Sequence, residues 1–350
     1  MRSITPFIVF AFSFGSCVDI YRIDLGDPPQ VLVVDGIFTD GEGPFRLSVS
    51  RLDSTLSGSH PVEGVSAELI DDRGNSSVLF PEEPGNYVGY PTDDFSGQIG
   101  RSYFLRFETP DGQVYESFPQ EMLPVPEVDT VYFERKDITL VRTGTGNEID
   151  TKRIALNARF RTLTEEKTNI FFRYRGVFVV ITPLPCNNCP TVCWIRDEPR
   201  DYLNIFSEQS SGSVPIEINI RDFVQDGKFS TRYTLELRQY SISDDAYQYL
   251  AAIEEQRSAS GSIFDTPPVI KRGNIRNIGN PEEEVYGYFL VSAHTDNNTE
   301  ISITVLRELG FPDEGLFPRC GVTVPPANCT NCLFIYPELE SSVNPLEIEW

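Results

Sequence analysis

Apolar and polar residues alternate with a period of two along much of the chain, the pattern of strands that bury one face. Phe45, Leu47 and Val49 alternate with Arg46, Ser48 and Ser50. Short β-prone runs also cover Val31–Phe38, Val65–Ile70, Ser77–Phe80, Gly85–Tyr90, Tyr103–Glu108 and Gln113–Ser117. Turn signals punctuate them: Asp40-Gly41 lies in Thr39–Pro44, Asp71–Gly74 closes one strand, and Pro110-Asp111-Gly112 marks a hairpin. Nothing between Pro28 and Pro119 has helical period. About seven strands in roughly ninety residues predict a β-sandwich of immunoglobulin or transthyretin type.

Pro124 and Pro126 favour extended backbone and interrupt ladder bonding, so residues 121–129 read as a linker. Beyond it, strands are expected at Thr130–Glu134, Ile154–Phe160, Asn169–Thr182, Val214–Ile220, Arg232–Tyr240 and Ile301–Leu306. Val177–Ile181 is apolar on both faces and reads as a central strand. Ser243–Arg257 breaks the pattern. Ser243 can cap, Asp244 and Asp245 sit in the first turn, and Ala246, Tyr249, Leu250 and Ile253 share a face at helical spacing. This single helix is expected to cover a face or end of the second sheet. The expected class is therefore all-β: a sandwich over 30–120, a Pro-rich linker over 121–129, and a larger antiparallel β domain with one helix over 130–350.

Composition supports folded cores. In 350 residues, 40% are hydrophobic and 12% aromatic, too many for a disordered chain. The net charge of −23 repels nucleic acid and anionic lipid, so no nucleic-acid partner is expected.

Location is written at the N-terminus. Residues 1–17 read MRSITPFIVFAFSFGSC: one basic residue, an apolar run from Phe7 to Phe14, two small residues and Cys17. That is a secretory signal peptide, its apolar run too short to span a bilayer. Cysteine after Gly15-Ser16 is the pattern of a bacterial lipobox, with Phe14 standing where an aliphatic residue is usual. Cys17 is the expected lipidation site, and residues 18–29 the tether. The expectation is an outer-membrane protein held by lipid, on the cell surface in preference to the periplasmic face.

Six further cysteines remain: Cys186, Cys189, Cys193, Cys320, Cys329 and Cys332. An even set in an exported chain reads as disulfides, in any of about fifteen pairings. At least one bridge is expected between the 186–193 and 320–332 clusters, tying the chain end back to the sheet. Zinc is the weaker alternative, since two CxxC units supply four thiolates.

Other chemistry is sparse. His60 and His294 have no partner at metal-ligand spacing, and no Gly-x-Ser-x-Gly elbow accompanies them. Asp71-Asp72, Asp93-Asp94 and Glu282–Glu284 are pairs that any acidic protein offers. Asp296–Glu300 reads as a polar hairpin turn in preference to a calcium loop. No phosphate-cradling or dinucleotide motif is present. Neither catalytic residues, metal nor cofactor is expected.

The ordered pieces Val31–Gly36, Val62–Ala67, Pro84–Tyr87, Gly100 with Tyr103, Tyr115–Ser117 and Leu123–Pro126 resemble a family of Bacteroidota outer-membrane lipoproteins known only as a domain of unknown function. Gly273-Asn274-Ile275, Gly287-Tyr288-Phe289, Cys329-x2-Cys332 and Trp350 continue the resemblance. It implies a partner of TonB-dependent transporters and supplies no catalytic residue. The expected function is thus a non-enzymatic, lipid-anchored envelope protein accessory to a TonB-dependent barrel or to envelope assembly. The alternatives are a glycan- or peptide-binding module and, behind it, a hydrolase.

Overall fold

A computed structural model of the chain describes residues 31–52, 58–141, 148–163, 167–184, 188–199, 203–258, 272–314, 316, 320 and 326–344. Cys17, Cys186 and Trp350 lie outside the described residues.

The first nine strands are β1 (Val31–Thr39), β2 (Phe45–Leu52), β3 (Ser59–Pro61), β4 (Ser66–Asp71), β5 (Ser76–Glu83), β6 (Asn86–Gly89), β7 (Ser102–Glu108), β8 (Val114–Ser117) and β9 (Gln120–Glu121). Next come β10 (Val128–Val141), β11 (Glu148–Arg161), β12 (Lys167–Ile181), β13 (Val192–Asp197), β14 (Asn204–Gln209), β15 (Pro215–Phe223) and β16 (Arg232–Ser241). Helix α1 (Asp244–Ser258), strands β17 (Ile275–Asn277), β18 (Val285–Ser292) and β19 (His294–Ser302), helix α2 (Ile303–Glu308) and strand β20 (Ser341–Ser342) follow. The chain is all-β in class, as its alternation predicts.

Strands order as β17-β8-β7-β4-β5-β6-β2-β1-β18 in a first sheet that folds around one core. β2 shows why: Phe45, Leu47 and Val49 are buried while Arg46 and Ser48 face out. Phe38, Tyr87, Tyr103, Phe107, Tyr115 and Phe289 fill that core, each contributing about 1.5–3 kcal/mol of hydrophobic burial. Two of its buried tyrosines spend their hydroxyls on nearby backbone. Tyr87 accepts from Val65 N–H (3.0 Å) and donates to Val62 O (2.8 Å). Tyr103 accepts from Gln98 N–H and donates to Ser96 O, both at 2.9 Å.

The remaining strands form a three-stranded sheet, β10-β11-β15, and a sheet ordered β19-β16-β12-β13-β20 with β14 beside β12. The two enclose a second core containing Phe160, Phe172, Phe178, Tyr233 and Leu235. Val177–Ile181 does lie centrally, between β13 and β16.

Four expectations need correction. Residues 130–350 do not form a separate second domain, because β17 and β18 return to the first sheet, and Ile275, Val285, Phe289 and Val291 complete its core. Residues 121–129 are no free linker: Met122 is fully buried and Pro126 O accepts from Gln239 Nε2 at 2.5 Å. Asp296–Glu300 is strand, not turn, because its backbone pairs with β16 along its whole length. Ile303–Leu306 is helical, because Ser302 caps it with a hydroxyl that accepts from Val305 N–H.

Candidate functional site

Three pieces far apart in sequence meet around β1. β1 runs parallel to β18, with Val34 opposite Gly287 and Asp35 opposite Tyr288. Gly287 has φ +91°, and a Cβ there would stand 1.9 Å from Val34 O. A Cβ on Gly273 would stand 1.6 Å from Gly287 O. Only glycine admits backbones this close. Asn274 then acts as a strand partner with its side chain. Its Nδ2 donates to Phe289 O (2.8 Å) and its Oδ1 accepts from Phe289 N–H (2.9 Å). Val31–Gly36, Gly273–Ile275 and Gly287–Phe289, scattered in sequence, thus form one packed unit.

The outer face of this unit does not end at solvent. Helix α1 lays Ala246, Tyr249 and Leu250 against Tyr288 and Leu290 of β18, and Ile37 of β1 joins them. Phe171 of β12 and Tyr240 of β16 enter the same cluster from the other sheet. Tyr249 and Tyr288 lie 5.0 Å apart by ring centroid, Phe171 and Tyr240 5.9 Å. The helix therefore fills the junction between two sheets, where the sequence assigned it to the second alone.

The chain crosses that junction at Ala293, the one residue between β18 and β19. Polar contacts fix the crossing. His294 Nδ1 lies 2.9 Å from Asp40 Oδ1, which also accepts from His294 N–H at 3.0 Å. Arg238 grips Asp296 with both nitrogens, at 2.5 and 2.6 Å. Burial opposes the Arg238 charge, yet Asp296 holds its pKa above the ordinary value.

Two charged residues flank the cluster along its strands. Asp35 lies two residues from Ile37 on β1, and Arg173 two residues from Phe171 on β12. Both side chains are exposed. Arg173 spreads over the Phe171 ring, 5.0 Å from its centroid. Loss of water around it, from the protein packed on either side, raises the Asp35 carboxyl above the usual range, against the pull of Arg173 and its hydrogen bond from Gly36 N–H. Asp35 also helps raise the Tyr249 hydroxyl, whose shift comes first from burial. The sequence carried a sign of both: each interrupts an apolar run, VLVVDGIF and IFFRYRG.

The sequence-named residues lie elsewhere. Cys193 is bonded to Cys332 and Cys320 to Cys329. Cys189 is also disulfide-bonded. Cys193 and Cys332 are fully buried in the second core. Among the described residues no group of three or more His, Cys, Asp or Glu is placed to hold a metal. His60 is an exposed residue on β3. Asp71 and Asp72 both bind Arg101, at 2.8 and 2.5 Å, in a surface loop. A shallow groove of about 230 Å³ on the outer face of the first sheet, edged by Glu68, Val78, Arg106 and Glu108, is smaller than ordinary ligand pockets. No described helix is long and apolar enough to cross a membrane.

Residues 18–298 match the family described as a domain of unknown function, DUF4249. The chain belongs to that family. The matched DUF4249 span takes in β1, α1 and β18, and so the whole junction. No curated protein matches the chain. Among solved structures, a DUF4785 family protein from Legionella pneumophila is similar to 59% of this chain at 11% identity and a TM-score of 0.21. The chain spans about half, 52%, of that protein.

Proposed function

We propose that this DUF4249 protein is a non-enzymatic lipoprotein, anchored in a Bacteroidota outer membrane through Cys17, that works beside a TonB-dependent transporter. The observation carrying the anchor is the sequence of residues 1–17, with family similarity beginning at residue 18, directly after the candidate lipidated cysteine. A diacylglyceryl cysteine with a further acyl chain gives a durable anchor, at about 0.8 kcal/mol per buried methylene. Expression in a Bacteroidota host with labelled palmitate tests this. The label should enter the wild-type chain and be lost in Cys17→Ala, with the variant leaving the membrane fraction. An unlabelled wild-type chain overturns the anchor.

The transporter partnership rests on resemblance to lipoproteins associated with such barrels. Solubilisation in mild detergent followed by affinity capture should recover a TonB-dependent barrel in stoichiometric amount. Recovery of the protein alone overturns the partnership. Surface location is tested by protease treatment of intact cells.

A second reading, a glycan- or peptide-binding module, is favoured by exposed rings on the first sheet. Phe80 is 60% and Tyr90 55% exposed. Phe80 lies opposite Val88, two residues before Tyr90, so both rings stand near one outer corner of the sandwich. Aromatic faces left in water are what sugar rings and apolar side chains stack on. Glycan-array binding that falls on Phe80→Ala supports this reading.

A further inference from the structure

We propose that Lys228 and Asp197 are joined by an isopeptide bond, from the Lys228 ε-nitrogen to the Asp197 side-chain carbonyl, formed with loss of one water. This modification depends on neither the lipid anchor nor the transporter.

Lys228 sits on the short 3-10 turn Gly227–Phe229 that leads toward β16, and Asp197 is the last residue of β13. Asp226 caps the turn, its Oδ1 accepting from Lys228 N–H at 2.9 Å. The lysine side chain reaches β13, where its Nζ lies 2.9 Å from Asp197 Oδ2. Tyr233 of β16 donates its hydroxyl to the same Oδ2 at 3.0 Å. Gly176 makes room for that hydroxyl. It stands opposite Asp197 in the β12–β13 pair, and a Cβ there would lie 2.4 Å from the Tyr233 oxygen. Aromatic rings surround the three groups. Lys228 Nζ is 5.9 Å from the Phe178 ring centroid, Tyr336 packs edge-on against Phe178 at 5.0 Å, and Tyr233 is itself fully buried.

Other lysine ion pairs among the described residues are wetter. Lys136 and Asp222 expose 43% and 29% of their side chains, and Lys167 and Asp244 32% and 61%, against 23% and 10% for Lys228 and Asp197. Taking water from an ion pair penalises both charges. One proton passed across the 2.9 Å contact turns ammonium and carboxylate into amine and acid, the reactants of amide formation. The amine nitrogen then attacks Asp197 Cγ. A C–N bond forms and one C–O bond breaks. One carboxyl oxygen stays as the amide carbonyl, and the other leaves as water with the two protons the ammonium gives up. Negative charge in the addition step builds on the carboxyl oxygens, one of which accepts from Tyr233. Burial, with Asp197 beside it, pushes the Tyr233 hydroxyl well above its ordinary pKa, so it stays a donor. Holding the partners in contact supplies an effective concentration that reaches about 10⁵–10⁸ M in well-oriented intramolecular reactions. The amide removes both charges from this dry site. It also gives β13 a second covalent clamp, four residues beyond the Cys193 disulfide.

Peptide mapping of the purified full chain, reduced and alkylated, tests this. Trypsin cuts after lysine only where the ε-amine is free. The bond should leave Lys228 uncut and yield a branched peptide, residues 197–200 joined to residues 222–232, one water lighter than its two parts. Asp197→Ala should abolish the branch and restore cleavage after Lys228. Tyr233→Phe should slow coupling about a hundredfold, the usual cost of one lost oxyanion donor, read as the fraction cut after Lys228 soon after synthesis. An ordinary buried ion pair gives full cleavage after Lys228 in the wild-type chain. That result overturns the proposal without any variant having to fold. A branch that persists in Asp197→Ala, or one that joins Lys228 to another acid, also overturns it.

Discussion

Cys193 and Cys332 are 139 residues apart in sequence and 5.6 Å apart at their Cα atoms, joined by a disulfide. The bridge nails the 326–344 segment across the end of β13, where Trp194 pairs with Ser342 and Arg196 reaches Glu340 at 2.8 Å. Closing so long a loop is worth roughly 4–5 kcal/mol by chain entropy. The double variant Cys193→Ala/Cys332→Ala should lose about 2–5 kcal/mol, seen as a lower urea midpoint. A loss below about 1 kcal/mol would mean that the tail's own packing holds it.

Tyr103 donates and accepts within the loop before its strand, and its hydroxyl is buried. Tyr103→Phe leaves Gln98 N–H and Ser96 O unpaired, at a cost of about 1–3 kcal/mol. Tyr132, which is not in the core, is the control: Tyr132→Phe should shift the thermal midpoint little.

Gly287 and Gly74 both have positive φ, at +91° and +84°. A Cβ on Gly74 meets nothing within 4 Å, whereas on Gly287 it strikes the Val34 backbone. Gly74→Ala should cost only the left-handed strain, about 1–2 kcal/mol. Gly287→Ala should cost clearly more, and equal midpoints for the two variants would refute the close approach of β1 and β18.

Asp71 is buried beneath its own loop and Arg101. Burial pushes its carboxyl up, but Asn75 side chain and backbone, Arg73 N–H and Arg101 together hold it below the usual carboxylate range. A carboxyl whose folded pKa is depressed contributes stability above its unfolded pKa of about 3.9, and loses it as pH falls through the folded value. The urea midpoint of Asp71→Asn should therefore lie below wild type at pH 6, with the gap narrowing toward pH 2. A gap constant with pH would show that the charge is not what stabilises the loop.

How much was legible in the sequence depended on where each element's stability comes from. β2 announces itself because its faces differ, Phe45, Leu47 and Val49 against Arg46, Ser48 and Ser50. β18 does not, since it has no alternation: residues 288–292 are buried on both faces, and Gly287 interrupts the run. β19 is polar throughout its first seven residues and owes its extension to pairing with β16. Ile303–Leu306 is short and apolar, and its helical state turns on the Ser302 cap. Asp35 and Arg173 each interrupt an apolar run, but their place beside the α1 cluster depends on how the two sheets meet, which no local pattern encodes.

The parallel pairing of β1 with β18 also sets an order of assembly. As the chain leaves a ribosome or a translocon, β2 can fold onto β1 at once, but the far edge of β1 stays open until residue 292 has followed. That edge is a row of unsatisfied amides beside an unfinished core, the template on which unfinished chains pair with one another. Every residue from β9 to β17 must pass first, and closing so long a loop is slow. The nascent sandwich thus stays unfinished through most of its synthesis, and only the arrival of Phe289 and its neighbours completes its core.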